Sequence, residues 1–295
     1  RQMCIRDRAY TLWFPKEKWP LVYGFQMAAG GLGALAATSP VEAALGFTDW
    51  RGVFTWLAFL TLLMAAAILL IVPEKKTEGA GESLHNQMRG IREVFTSRQF
   101  WRTAPLTASS QAAFLSIQGL WAGPWLTHVA QLDRLAVAEV LFWVAVAMIA
   151  GFIFLGSLTE KLARRGITVA TTAVTGMTLF IAVQLLLILG PAGWAVPVWL
   201  AFGFFGTSGI IAYSAMSQSF PSHLSGRVTT AINLLVFIAA FAGQWIIGVI
   251  IDWFTVAPEK TLAKSGFDAG FGLMLALEVA GLVLYLIEGR NKGSD

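Results

Sequence analysis

Charge is what this sequence has least of. Only 13% of its 295 residues are Asp, Glu, Lys or Arg, where a soluble domain carries roughly 25%. A deficit that large in a chain this long excludes an ordinary water-facing surface. Cysteine is scarcer still. Cys4 stands alone, which excludes an internal disulfide framework and a cysteine-built metal site. The histidines are three, His85, His128 and His223, and they lie far apart. No metal and no cofactor are expected. The pI of about 9.4 does not mark a nucleic-acid binder, because the basic residues form no patch. They sit in short connections between apolar runs, which is the pattern of membrane topology and not of phosphate binding.

What is present is apolar. Hydrophobic residues make up 56% and mean hydropathy is +0.66. Eight runs are long enough to cross a hydrocarbon core of about 30 Å as helices. They cover 20–44, 51–72, 104–130, 136–158, 168–190, 194–217, 228–251 and 267–287. The fold class expected is therefore an all-α polytopic membrane protein. Lys and Arg set its orientation. With the segment before the first run inside, the inner connections hold fourteen of them and the outer ones four, Arg51, Arg134, Lys260 and Lys264. That places the C-terminus in the cytoplasm. The opening RQMCIRDR resembles translated sequencing-adapter read-through. Residues 1–8 are accordingly read as non-native, with the true N-terminus missing.

The longest connection, 73–103, begins as the polar, Gly-rich stretch PEKKTEGAGES, a flexible linker. Its second half sets Leu84, Met88, Ile91 and Phe95 at helical spacing among Arg89, Arg92 and Arg98. This predicts an amphipathic helix on the inner membrane surface. The organisation expected is 9–73 as the end of an N-terminal bundle, 74–103 as cytoplasmic linker, 104–289 as a six-helix bundle and 290–295 as a cytoplasmic tail.

Two segments resemble the major facilitator superfamily. Gly156-Ser-Leu-Thr-Glu160-Lys161-Leu-Ala163-Arg164-Arg165 matches the spacing of the family's cytoplasmic loop motif. It departs at two positions, Glu160 for Asp and Ala163 for Gly. Thr48-Asp49-Trp50-Arg51-Gly52 is similar to the Trp-Arg entrance of the family's sixth span, and the glycines before it resemble the fifth. Two runs before the long linker and six after it match spans five to twelve of that twelve-span fold, N-terminally truncated. The resemblance implies a secondary transporter of a small solute working by alternating access. It further implies proton or ion coupling as a symporter or antiporter, and a monomer in the lipid bilayer, the bacterial inner membrane. It implies no enzymatic activity and no nucleic-acid partner. The alternative is a sensor or scaffold of the same fold that binds a solute without moving it.

The candidate site follows from polar and aromatic residues inside the runs. Gln111, Gln118 and Trp125 recur every seven residues, with Trp121 beside them, close to one helix face. Asn233, Phe237, Phe241 and Gln244 share a face of the seventh run. Buried amides in a membrane are usually aimed at a partner or a cavity. Gln111, Gln118, Trp121, Trp125, Asn233, Phe237 and Gln244 are therefore the expected cavity lining. Gly156, Glu160, Lys161, Arg164 and Arg165 are the expected gating loop, with Glu160 docking at the N-terminus of the first span. Glu278 is the clearest charge within a run and a candidate coupling group; the resemblance implies a peripheral last span, which favours a structural or protonated Glu278 over coupling. Gly206-Thr207-Ser208-Gly209 matches the GxSG of rhomboid-like serine proteases. That chemistry needs a histidine base on a later span, and the only later one, His223, is read as a loop residue.

Overall fold

The structure is a computed structural model that describes residues 14–15, 18–36, 41, 44–71, 84–221, 223–254 and 264–290. The expected read-through at 1–8, the linker as far as residue 83 and the end of the cytoplasmic tail lie outside them. Helix is the only regular structure among the described residues. The elements are α1 (Trp19–Ala36), α2 (Trp50–Ile71), α3 (Leu84–Thr96), α4 (Arg98–Ser116), a π-helical segment (Ile117–Trp121) and α5 (Ala122–His128). They continue as α6 (Arg134–Ala163), α7 (Val169–Leu189), α8 (Ala195–Gly206), α9 (Gly209–Ser219), α10 (Ser225–Trp253) and α11 (Lys264–Arg290).

Each expected run is helical, but the runs are not alike. Six helices among the described residues are long and apolar enough to cross a membrane. These are α2, α6, α7, α8 with α9, α10 and α11. The first and third expected runs fall outside that set. As described, α1 has 18 residues and carries Gln26 and four glycines among them. The third is broken by the π segment, and its first part carries Thr103, Thr107, Ser109, Ser110 and Gln111. Those side chains lower its hydropathy because much of that helix faces protein instead of lipid.

Local signals place the ends. The Asp133 carboxylate caps α6 by accepting from the Ala136 N–H at 2.8 Å, and Thr168 caps α7 by accepting from the Thr171 N–H at 3.1 Å. Between them Gly166 takes φ +87°, a left-handed turn that glycine adopts without strain. At the head of α2, Asp49 accepts from the Gly52 N–H at 2.8 Å. The Arg51 guanidinium lies 4.5 Å from the Trp50 ring centre.

The core fills the bundle α4–α11. Phe114, Phe180, Phe202, Trp199 and Trp125 are all buried and stack edge-on or tilted, with Phe180 and Phe202 centroids 4.9 Å apart. α1 joins this bundle by lying along α6. The contact is backbone-close, since a Cβ on Gly24 would stand 2.5 Å from the Phe152 carbonyl oxygen and 3.8 Å from the Gly156 Cα. Small residues allow such approach between membrane helices. By contrast α2 buries none of its residues.

The linker helix forms where its periodicity predicts, but only part of the expected stripe docks, with Phe95 half-buried against the core. Gly90 and Val94 are buried, with Gly90 against the Arg227 side chain of α10. Met88 and Ile91 stay exposed. The missing side chain at Gly90 leaves the room that the long Arg227 side chain occupies.

Candidate functional site

The site begins with a flaw in a helix. At Ile117–Trp121 the chain widens from α to π geometry, which inserts one residue and is often found at functional sites. Three hydrogen bonds stitch this region to α10. The Ser116 hydroxyl donates to the Ala240 carbonyl at 2.9 Å, and the Trp121 indole N–H to the Gln244 carbonyl at 3.2 Å. In return the Gln244 amide donates to the Leu115 carbonyl at 3.4 Å. Gln118, on the π segment, is half-buried. Farther along the open face of α10, Phe237 is 49% exposed. Asn233 is exposed, and its side-chain oxygen accepts from the Tyr213 hydroxyl at 3.4 Å.

The structure thus brings Trp121 and Gln244 together, sets the half-buried Gln118 on the same π segment as Trp121, and continues the Gln244 face of α10 at helical spacing through Phe237 to Asn233. It sets Gln111 and Trp125 apart, inside the bundle. Gln111 is 5% exposed and donates to the Gly206 carbonyl at 3.0 Å. Trp125 is 3% exposed and packs on Trp199 with centroids 5.6 Å apart. The added residue of the π segment explains the parting, because positions seven apart across it no longer share a face.

Sequence reasoning missed the break between α8 and α9. α8 ends at Gly206 and α9 starts at Gly209, so Gly206-Thr207-Ser208-Gly209 is a helix interruption. The Gly206 carbonyl at this break receives the Gln111 amide. The Ser208 hydroxyl is buried and has no hydrogen-bond partner among the described residues, so no base activates it there. Ser116 and Tyr213 were also missed, since hydroxyls that bond across helices carry no periodic signal.

The expected gating motif lies at the end of α6. Gly156 is inside the helix and buried, serving close packing; the turn comes later, at Gly166. Glu160 pairs with Arg164 one turn on, at 2.7 Å, and this is its partner among the described residues. Lys161 and Arg165 are exposed. A small cavity beside them, lined by Gly24, Gly151, Phe152, Gly156, Thr207 and Ile211 among others, sits where α1 and α6 meet the α8–α9 break.

Long apolar helices, polar breaks and a neutral polar face define a polytopic helical membrane protein. A sequence model of the Major Facilitator Superfamily matches residues 8–244, more than half of the chain, and the chain belongs to that family. Two solved structures share the fold. One is a bacterial homologue of the iron transporter ferroportin in an outward-facing state, with TM-score 0.65 at 14% identity, covering 94% of this chain and 66% of that one. The other is a bacterial homologue of the human lysosomal transporter Spinster, inward-facing and unoccupied. Its TM-score is 0.52 at 16% identity, covering 88% of this chain and 64% of that one. The chain therefore spans just under two thirds of either relative's length. A search of curated proteins finds no match.

Proposed function

We propose that this chain is the greater part of a secondary active transporter that moves a small solute by alternating access, coupled to a proton or ion as symporter or antiporter. Two bundles rock about a central site in such a mechanism. One observation carries the reading. The π segment is stitched to α10 and leaves Gln118, Trp121, Asn233, Phe237 and Gln244 along one neutral, polar and aromatic face. Gln111 and Trp125 support this face from behind. The two solved relatives were captured open to opposite sides, which fits the same cycle. The iron moved by the protein to which the first relative is homologous is no property of this chain; the face here favours a small organic solute.

The motif Gly156–Arg165 acts as the cytoplasmic gate in this reading. Gly156 lets α6 close on α1, and Glu160 exchanges between Arg164 and the N-terminal turn of α1, which favours an anion. The protein works as a monomer in the bacterial inner membrane with its C-terminus in the cytoplasm.

The test is flux in vesicles reconstituted with the intact gene product, screened against a panel of labelled small solutes. For a transported solute, Asn233→Leu and Gln118→Leu each raise KM about tenfold. That corresponds to the roughly 1–3 kcal/mol of a hydrogen-bonding group left unpaired. Binding without flux would replace transport with a solute sensor. Unchanged KM in both variants would remove this face from the site.

A further inference from the structure

Glu278 lies near the middle of α11 and is 0% exposed. The Gln184 amide of α7 donates to its Oε1. The second carboxyl oxygen, Oε2, is buried without a partner among the described residues, and so is the Gln184 amide oxygen. Ser110 of α4 approaches the carboxyl, yet its hydroxyl also lacks hydrogen-bond geometry to any partner.

Among the described residues of the helices packed on α11, no cation stands at this level. Of the helices packed on α11, α7 has no titratable residue. α4 has Arg98 and Arg102 in its first turns, and α10 has Arg227 and Asp252 near its ends. α5 contributes His128 at its last residue. On α11 itself, Asp268 and Glu288 are each ten residues away, about 15 Å along the axis. Several of these are engaged elsewhere. Arg98 pairs with Glu288 at 2.7 Å, Lys264 pairs with Asp268 at 2.7 Å, and the Arg102 guanidinium covers the Tyr285 ring at 5.0 Å.

An ionised Glu278 would leave a charge uncompensated in the bundle interior, which is costly. It would also leave two buried acceptors on this one pair of side chains, Glu278 Oε2 and the Gln184 amide oxygen, with no hydrogen donated to either. One proton resolves both. A carboxylic acid and a primary amide pair as a ring, each donating once and accepting once. The amide-to-carboxyl half of that ring is already formed.

We propose that Glu278 is held as the neutral acid and donates to the Gln184 amide oxygen. The resulting acid–amide clasp ties α11 to α7 so that the six-helix bundle moves as one body. The proton stays in place and is not the one exchanged with solute movement. The clasp does not depend on the transport reading.

Infrared difference spectroscopy of the full chain in lipid, parent against Glu278→Gln, tests it. The parent shows the carbonyl stretch of a protonated acid at neutral and mildly alkaline pH, and the variant lacks it. In melting experiments Glu278→Gln stays near the parent, because two amides pair in the same ring. Glu278→Ala and Gln184→Leu melt lower. The exchange Glu278→Gln with Gln184→Glu restores the pair with its partners reversed. A difference spectrum showing a lost carboxylate in place of a lost acid overturns the proposal. So does a Glu278→Gln protein that melts as low as Glu278→Ala.

Discussion

At the scale of single residues, the smallest ones are the most tightly specified. Gly24 leaves no room for a side chain, because the Phe152 carbonyl of α6 occupies the place of a Cβ. Backbone cannot step aside as a flexible side chain can. Gly24→Val is expected to force α1 off α6 and lower the melting temperature, with a strain of about 1–3 kcal/mol. Tryptophan fluorescence during heating reads this out, and an unmoved midpoint would mean that the two helices slide freely past one another. The sequence made the glycines visible as packing residues but not their partners. It also made Glu278 visible as an intramembrane carboxylate. It could not show Gln184 opposite, because nothing in the spacing of α7 predicts which helix it will meet.

At the scale of elements, regular periodicity was readable and its interruptions were not. The capped, apolar helices α6 and α7 follow their sequence signals closely. The π segment does not, since a seven-residue spacing of Gln111, Gln118 and Trp125 argues for one face only if every turn is α. Deleting Leu120 should restore that regularity. It would rotate the outer part of the span by about 100° and carry Trp125 away from Trp199. Expected is a protein that still inserts and folds but loses solute uptake, checked by flux beside a melting curve. Unaltered uptake would show that the widened turn has no part in the site. The linker helix α3 carries a related lesson. Its apolar stripe was legible, and Phe95 from that stripe docks, but the close approach of Gly90 to Arg227 carried no periodic signal.

At the scale of the whole molecule, the distribution of Lys and Arg foretells an orientation that can be checked directly. In a Cys4→Ser background, a cysteine at Leu135, 82% exposed at the head of α6, is expected to react with a membrane-impermeant maleimide from outside. A cysteine at Lys161, at the other end of the same helix, should react only after permeabilisation. The reverse pattern would invert the topology and remove the cytoplasmic assignment of the Gly156–Arg165 motif. The family and its helical bundle were legible from two motifs and the spacing of apolar runs. The solute was not, because its recognition rests on which side chains from distant helices converge.

The pairing of α1 with α6 also has a consequence in time. α1 ends at Ala36 and α6 is complete at Ala163. The intervening chain takes roughly 6–25 s to synthesise at about 5–20 residues per second. Throughout that interval α1 must rest in the bilayer without the surface it is shaped to fit. Its glycine-lined side, which packs so closely once α6 arrives, is during biogenesis the side most open to lipid and to the wrong helix.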